Sequence, residues 1–113
     1  MAKKEYFTFL SSDKKTKIHG VTWTPESGEY TAVLQICHGM TEYVERYQEF
    51  AAYMTEHGYL VVGHDHLGHG DSVRSREDWG YIADERGEQY MIADIHKVRK
   101  ITQKENPGLP YFI

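Results

Sequence analysis

Apolar positions recur along this chain with two periods, and the points where the period changes mark its elements. From Glu5 to Leu10 polar and aromatic residues alternate loosely, and from Lys17 to Thr24 alternation returns with Ile18, Val21 and Trp23 as apolar members. Ser11-Ser12-Asp13-Lys14-Lys15 between them is polar, so the two runs read as an antiparallel hairpin. Pro25-Glu26-Ser27-Gly28 then breaks the chain. Thr31 to Cys37 (TAVLQIC) is nearly continuous in apolar residues, the signature of a central strand buried on both faces. After it, Tyr43, Tyr47, Phe50, Ala51 and Met54 recur at intervals of three and four, which makes one helical stripe. Thr41 suits an N-cap, Glu42 and Glu45 suit the positive end of the helix, and Gly58 sits where a left-handed residue would end it.

Tyr59 to Gly63 (YLVVG) is a second apolar strand. Strand, helix and strand in that order predict a parallel pair joined by a right-handed crossover. Leu67 to Trp79 is irregular, and a second helix is predicted from about Glu85 to Lys104, with Met91, Ile95, Val98 and either Ile101 or Thr102 on its buried side. Asn106-Pro107-Gly108 stops it, and Pro110 to Ile113 begins a further strand. The alternation of strand and helix places the chain among α/β folds. That last strand would present an apolar edge, so a strand from elsewhere is expected to cover it.

Composition narrows the picture. The 113 residues suffice for one domain, and 40% hydrophobic with 27% charged residues is ordinary for a globular chain. The net charge of -4 is spread over both signs, which excludes a basic stripe for nucleic acid. No apolar run approaches the roughly 18 residues of a transmembrane span, and Met1 to Tyr6 lacks the apolar core of a signal peptide behind its charges. The lone Cys37 excludes an internal disulfide and fits a reducing, cytoplasmic setting.

Two segments carry candidate chemistry. In His38-Gly39-Met40-Thr41-Glu42, a glycine just past a strand lets the backbone bend and leaves the next amide free. That amide, the backbone N–H of Met40, would face the crevice at the carboxyl ends of the strands and could stabilise an oxyanion. Taken alone, the His-Gly pair is better explained as a plain turn glycine after a strand. In Asp65-His66-Leu67-Gly68-His69-Gly70-Asp71-Ser72, two glycines permit tight turns, with His69 and Ser72 available to hydrogen-bond the loop into shape.

Taken together, HGMTEYVERY and GYLVVGHDHLGHGDS resemble the monoglyceride lipase and lysophospholipase branch of the α/β-hydrolases, of the serine aminopeptidase S33 type. His38, Gly39, Glu42, Arg46, Tyr47, Gly58, Tyr59, Val61, Asp65, Gly68, His69, Gly70 and Ser72 match that branch in type and spacing. The resemblance is strongest from Cys37 to Ser72 and consistent in element order to Ile113. It implies that residues 1–113 form the N-terminal part of one α/β-hydrolase domain: an antiparallel hairpin, then β-α-β-α-β of a mostly parallel sheet. The strand with Cys37 should lie between those with Val61 and Phe112. The resemblance further implies a serine ester hydrolase acting on a small-molecule or lipid ester, such as a monoacylglycerol or lysophospholipid, through a Ser-His-acid triad. The nucleophile elbow G-x-S-x-G would follow the strand at Pro110 to Ile113, and none occurs in these residues. The triad is therefore expected on a complementary C-terminal polypeptide, and this chain alone is expected to be inactive. Met40 carries over as an oxyanion-hole amide. His38, Gly39, Glu42, Arg46, Asp65, Gly68, His69, Gly70 and Ser72 are expected to shape loops. No cofactor and no metal are expected.

Other readings compete. His64, His66 and His69 with nearby Asp65 and Asp71 have a spacing reminiscent of a zinc-binding H-x-H-x-D-H motif, but Gly68 stands where its aspartate should be. Cys37 beside His38 could suggest a thiol nucleophile, yet adjacent strand residues point to opposite faces, so a buried apolar cysteine is expected. The Tyr43–Met54 stripe reads as core, His19, His57 and His96 as surface or helix-end residues, and Lys97, Arg99, Lys100 and Lys104 as a solvated helix face. A catalytically inactive binding fragment of the same fold is the alternative function.

Overall fold

The computed structural model describes residues 3–38, 44–66, 72 and 87–113. Its elements are β1 (Lys3–Leu10), β2 (Lys17–Thr24), β3 (Ala32–Ile36), a short 3-10 turn (Val44–Tyr47), α1 (Gln48–Glu56), β4 (Tyr59–His64), α2 (Gly87–Glu105) and β5 (Tyr111–Phe112). Among the described residues the strands form one five-stranded sheet in the order β1-β2-β4-β3-β5. The antiparallel hairpin runs in register from Lys3 opposite Thr24 to Leu10 opposite Lys17. Its connection is braced from within, because the Asp13 carboxyl accepts from the N–H groups of Lys15 and Thr16 and from the Thr16 hydroxyl.

β2 joins β4 antiparallel, while β4 and β5 flank β3 in parallel. The chain thus goes one way from β3 to β4 and the other way to β5, which opens a crevice at the carboxyl end of β3.

The alternation of each strand feeds two apolar layers. Val21, Trp23, Ile36 and Val61 meet Val44 and Ala51 on the α1 face. Val33, Leu60 and Val62 meet Val98 of α2 on the other, with Phe7, Phe9, Tyr30, Leu109 and Tyr111 packed around them. Both predicted helices are present, but their buried stripes differ in detail. Val44, Ala51 and Thr55 are the buried residues of the first, Tyr47 and Met54 pack against its core, and Phe50 is 48% exposed. The segment enters as a 3-10 turn with three residues per turn, so its apolar face is out of phase with a stripe counted at 3.6. On α2 the buried side runs through Asp94, Val98 and Thr102, and Ile101 faces outward. Helix α1 ends as its sequence predicts: Gly58 has φ 89°, in the left-handed region that favours glycine, and its N–H donates to Thr55 O at 3.2 Å. Among the described residues no helix is long and apolar enough to cross a membrane.

Candidate active-site framework

Because β3 and β4 are parallel, with Ile36 opposite Gly63, the residues leaving them emerge side by side. His38 and His66 then interlock. The His66 N–H donates to His38 Nε2 at 2.9 Å, and His66 Nε2 donates back to the His38 carbonyl at 3.1 Å. Their rings lie 4.1 Å apart and both residues are buried. A ring nitrogen that accepts carries no proton, so the His38 imidazole is neutral with its hydrogen on Nδ1.

Asp65 performs the matching task one residue earlier. Its Oδ1 accepts the Val44 N–H at 2.7 Å, capturing an amide at the start of the 3-10 turn, where backbone donors lack intrahelical partners. Its own N–H donates to His19 O at 2.8 Å. Consecutive residues leaving β4 therefore grip the chain at His38 and at Val44, on either side of residues 39–43. Gly63, just upstream, allows this approach: a Cβ built there would lie 2.4 Å from Val44 Cγ2.

Strand β2 backs the arrangement. The His19 N–H donates to Ser72 Oγ at 2.8 Å, and the His19 ring meets Glu45 Oε1 at 3.2 Å. Glu45 also receives Lys4 Nζ at 2.9 Å and the Tyr6 hydroxyl at 3.4 Å. Burial alone would push the Glu45 carboxyl up, but its bonds to Lys4 and His19 overcome this and hold it below the ordinary range. His19 is thus a half-buried hub and not the surface residue its sequence suggested. Only the pairing of β2 with β4 reveals this, since nothing in the local sequence marks it. His57 does sit at a helix end and His96 is exposed, as expected.

His64 is fully buried, 6.1 Å from the Phe9 ring and 5.1 Å from that of His66. Neither of its ring nitrogens has a hydrogen-bond partner among the described residues. Burial, reinforced by the His66 and His38 rings, lowers its pKa to about 3, so at neutral pH it is an uncharged core residue. Among the described residues no three histidine, cysteine or acidic side chains converge as a metal site would require, and His66 Nε2 is already committed to a carbonyl. His69, the third candidate ligand, lies outside the described residues. Cys37 is exposed, contrary to the expectation of a buried thiol, because β3 ends at Ile36 and the cysteine stands beyond the ladder.

Of the motif residues, the structure brings together His38, Asp65 and Ser72, all buried. Arg46 is exposed on the 3-10 turn and does not join them. Gly39, Met40, Glu42, Gly68, His69 and Gly70 lie outside the described residues.

The sequence model of the family described as Serine aminopeptidase, S33, matches residues 28–113. The chain belongs to this family. Human monoglyceride lipase is 34% identical over a match that covers 80% of this chain and 28% of the lipase. A monoglyceride lipase homolog of monkeypox virus is 36% identical, covering 73% and 28%. Among solved structures, a thermostable carboxyl esterase from Bacillus coagulans superposes with a TM-score of 0.87 at 33% identity, covering 99% of this chain and 35% of the esterase. This S33-family chain therefore spans about 28% of the length of these curated relatives and holds the N-terminal part of an α/β-hydrolase fold.

Proposed function

We propose that this chain forms the oxyanion side of a serine hydrolase that cleaves monoacylglycerol-like or lysophospholipid-like carboxylic esters, in a cytoplasmic setting. The observation that carries this reading is the double grip of Asp65 and His66 on Val44 and His38. It brackets the five residues that include Met40, at the carboxyl edge where β3 parts from β4 and β5. A hydrogen-bond donor aimed at a developing charge is effective only when it is held in place before the reaction, and two anchors flanking a short segment serve that need.

In the proposed reaction a serine that follows β5 attacks the ester carbonyl while a histidine takes its proton. The carbonyl oxygen becomes negative and receives the Met40 N–H together with the amide following the serine. Collapse expels the alcohol, protonated by the same histidine, and water that gives its proton to that histidine then attacks the acyl-enzyme, releasing the acid and the reprotonated serine. The serine, histidine and acid belong to a companion stretch of polypeptide, and residues 1–113 alone are inactive. His38, Asp65 and Ser72 shape the loops and move no proton.

The test is ester turnover by this chain together with the polypeptide that carries the nucleophile. Met40→Pro removes the amide hydrogen and should lower kcat by about 100- to 1000-fold. Met40→Leu keeps it and should leave kcat within about threefold. Equal losses in both variants would refute the assignment. So would fluorophosphonate labelling that never marks a polypeptide containing or accompanying these residues.

A further inference from the structure

Strand β3 carries one polar side chain in an otherwise aliphatic run, Ala32-Val33-Leu34-Gln35-Ile36, and Gln35 is 1% exposed. A primary amide buried in a central strand is unfavourable unless its donors and acceptor are engaged. Here Nε2 donates to the Ile95 carbonyl of α2 at 3.2 Å, and Oε1 accepts the Tyr111 hydroxyl of β5. One side chain thus joins the central strand, the covering helix and the edge strand.

The edge strand needs such a tie. Its ladder with β3 consists of Val33 opposite Tyr111 and Leu34 opposite Phe112, with one further bond from Val33 N–H to Pro110 O at 2.9 Å. So short a ladder specifies register weakly. The Tyr111–Gln35 bond is diagonal, reaching two positions forward of Val33, the residue across from Tyr111. Sliding β5 by one residue would move the hydroxyl by about 3.3 Å and invert its side chains. The bond can exist in one register only. Burial raises the Tyr111 pKa to about 12, so the phenol keeps its proton and remains a donor over the working pH range.

We propose that Gln35 and Tyr111 are positioning residues that lock the height of β5 against β3, and so set where the group following Ile113 meets the segment after His38. This inference rests on the proposed serine hydrolase reading for its catalytic consequence, and on the hydrogen bonds alone for its structural one. A misplacement of about 1 Å can reduce a reaction about 100-fold, so a loosened register should appear in the chemical step.

Two measurements test it. Hydrogen exchange on the chain reads the register directly. Tyr111→Phe should speed exchange of the Val33 amide, which donates to Pro110, by about tenfold or more, while the Val44 amide held by Asp65 stays unchanged. Kinetics of the chain with its nucleophile-bearing companion read the consequence. Tyr111→Phe should lower kcat about tenfold with KM within about twofold. Gln35→Leu should do the same, and Tyr111→Phe should add almost nothing in the Gln35→Leu background, because the pair acts as a unit. Unchanged Val33 exchange, or additive effects of the two substitutions, would overturn the inference. Altered exchange in a protein that hydrolyses no ester would leave the register lock standing and remove the hydrolase reading instead.

Discussion

Two buried aspartates fasten opposite faces of the same sheet edge, and only one of them could be read from the sequence. Asp65 leaves β4 and holds Val44 on the α1 face. Asp94 lies within α2, fully buried, and takes the Ser11 hydroxyl at 2.6 Å and the Ser12 N–H at 2.7 Å on the other face. Asp65 sits in a glycine-rich segment whose spacing resembles a known branch. Asp94 sits on an apolar helical stripe, and its serine partners belong to a hairpin turn far upstream in the chain. The contrast separates two uses of the same chemistry: one carboxyl group holds the start of the turn before α1, and the other docks α2 against the hairpin.

That contrast can be broken by substitution. Asp94→Ala leaves a buried hydroxyl and a backbone amide without their acceptor, which should reduce stability by about 2–4 kcal/mol in urea unfolding, while the proposed ester turnover, measured on the chain together with its nucleophile-bearing companion, stays near the parent value per folded molecule. Asp65→Asn should reduce stability by about 1 kcal/mol and turnover by about tenfold or more. Equal turnover losses in the two variants would show that the faces are not functionally distinct.

Acid acts on a third buried group, His64. The folded pKa of His64, about 3, lies below its ordinary 6.5, so the unfolded chain binds the extra proton first between those values. Stability attributable to keeping His64 neutral is complete above pH 6.5 and falls as the pH drops toward 3. The loss should reach about 2 kcal/mol by pH 5, and His64→Phe should flatten this limb of the pH–stability curve. A slope unchanged in that variant would place the acid sensitivity elsewhere.

The smallest expected effect belongs to Glu45. Its folded pKa is depressed below 4.5, so its contribution is present above that value and disappears as the pH falls through the folded one. Because the ion pairs are partly exposed, at 23% for Lys4 and 32% for Glu45, Glu45→Gln should cost about 0.5 kcal/mol at pH 7, less in high salt.

Much of the architecture was legible because hydrophobic period and turn chemistry agree. The hairpin, both helices, the glycine end of α1 and the position of β3 between β4 and β5 follow from local runs and from the resemblance. What escaped has physical causes. The phase of the Phe50 stripe depends on a 3-10 entry that helical counting does not anticipate. Asp94, His19 and the Gln35–Tyr111 bond are long-range pairings between residues whose local patterns name no partner. At the candidate site, the motif made His38, Asp65 and Ser72 stand out, but not that Asp65 and His66 hold the two ends of one short segment. The exposure of Cys37 depends on where the β3 ladder stops, which its apolar neighbours do not reveal.

The bare backbone at Gly63 restricts what can stand there. A methyl group added there would come within 2.4 Å of Val44 Cγ2, so the side chain of the residue whose amide Asp65 holds would have to shift. The seating of Val44 beside β4 thus depends on a position that offers no side chain at all, and a screen for functional groups would pass over it.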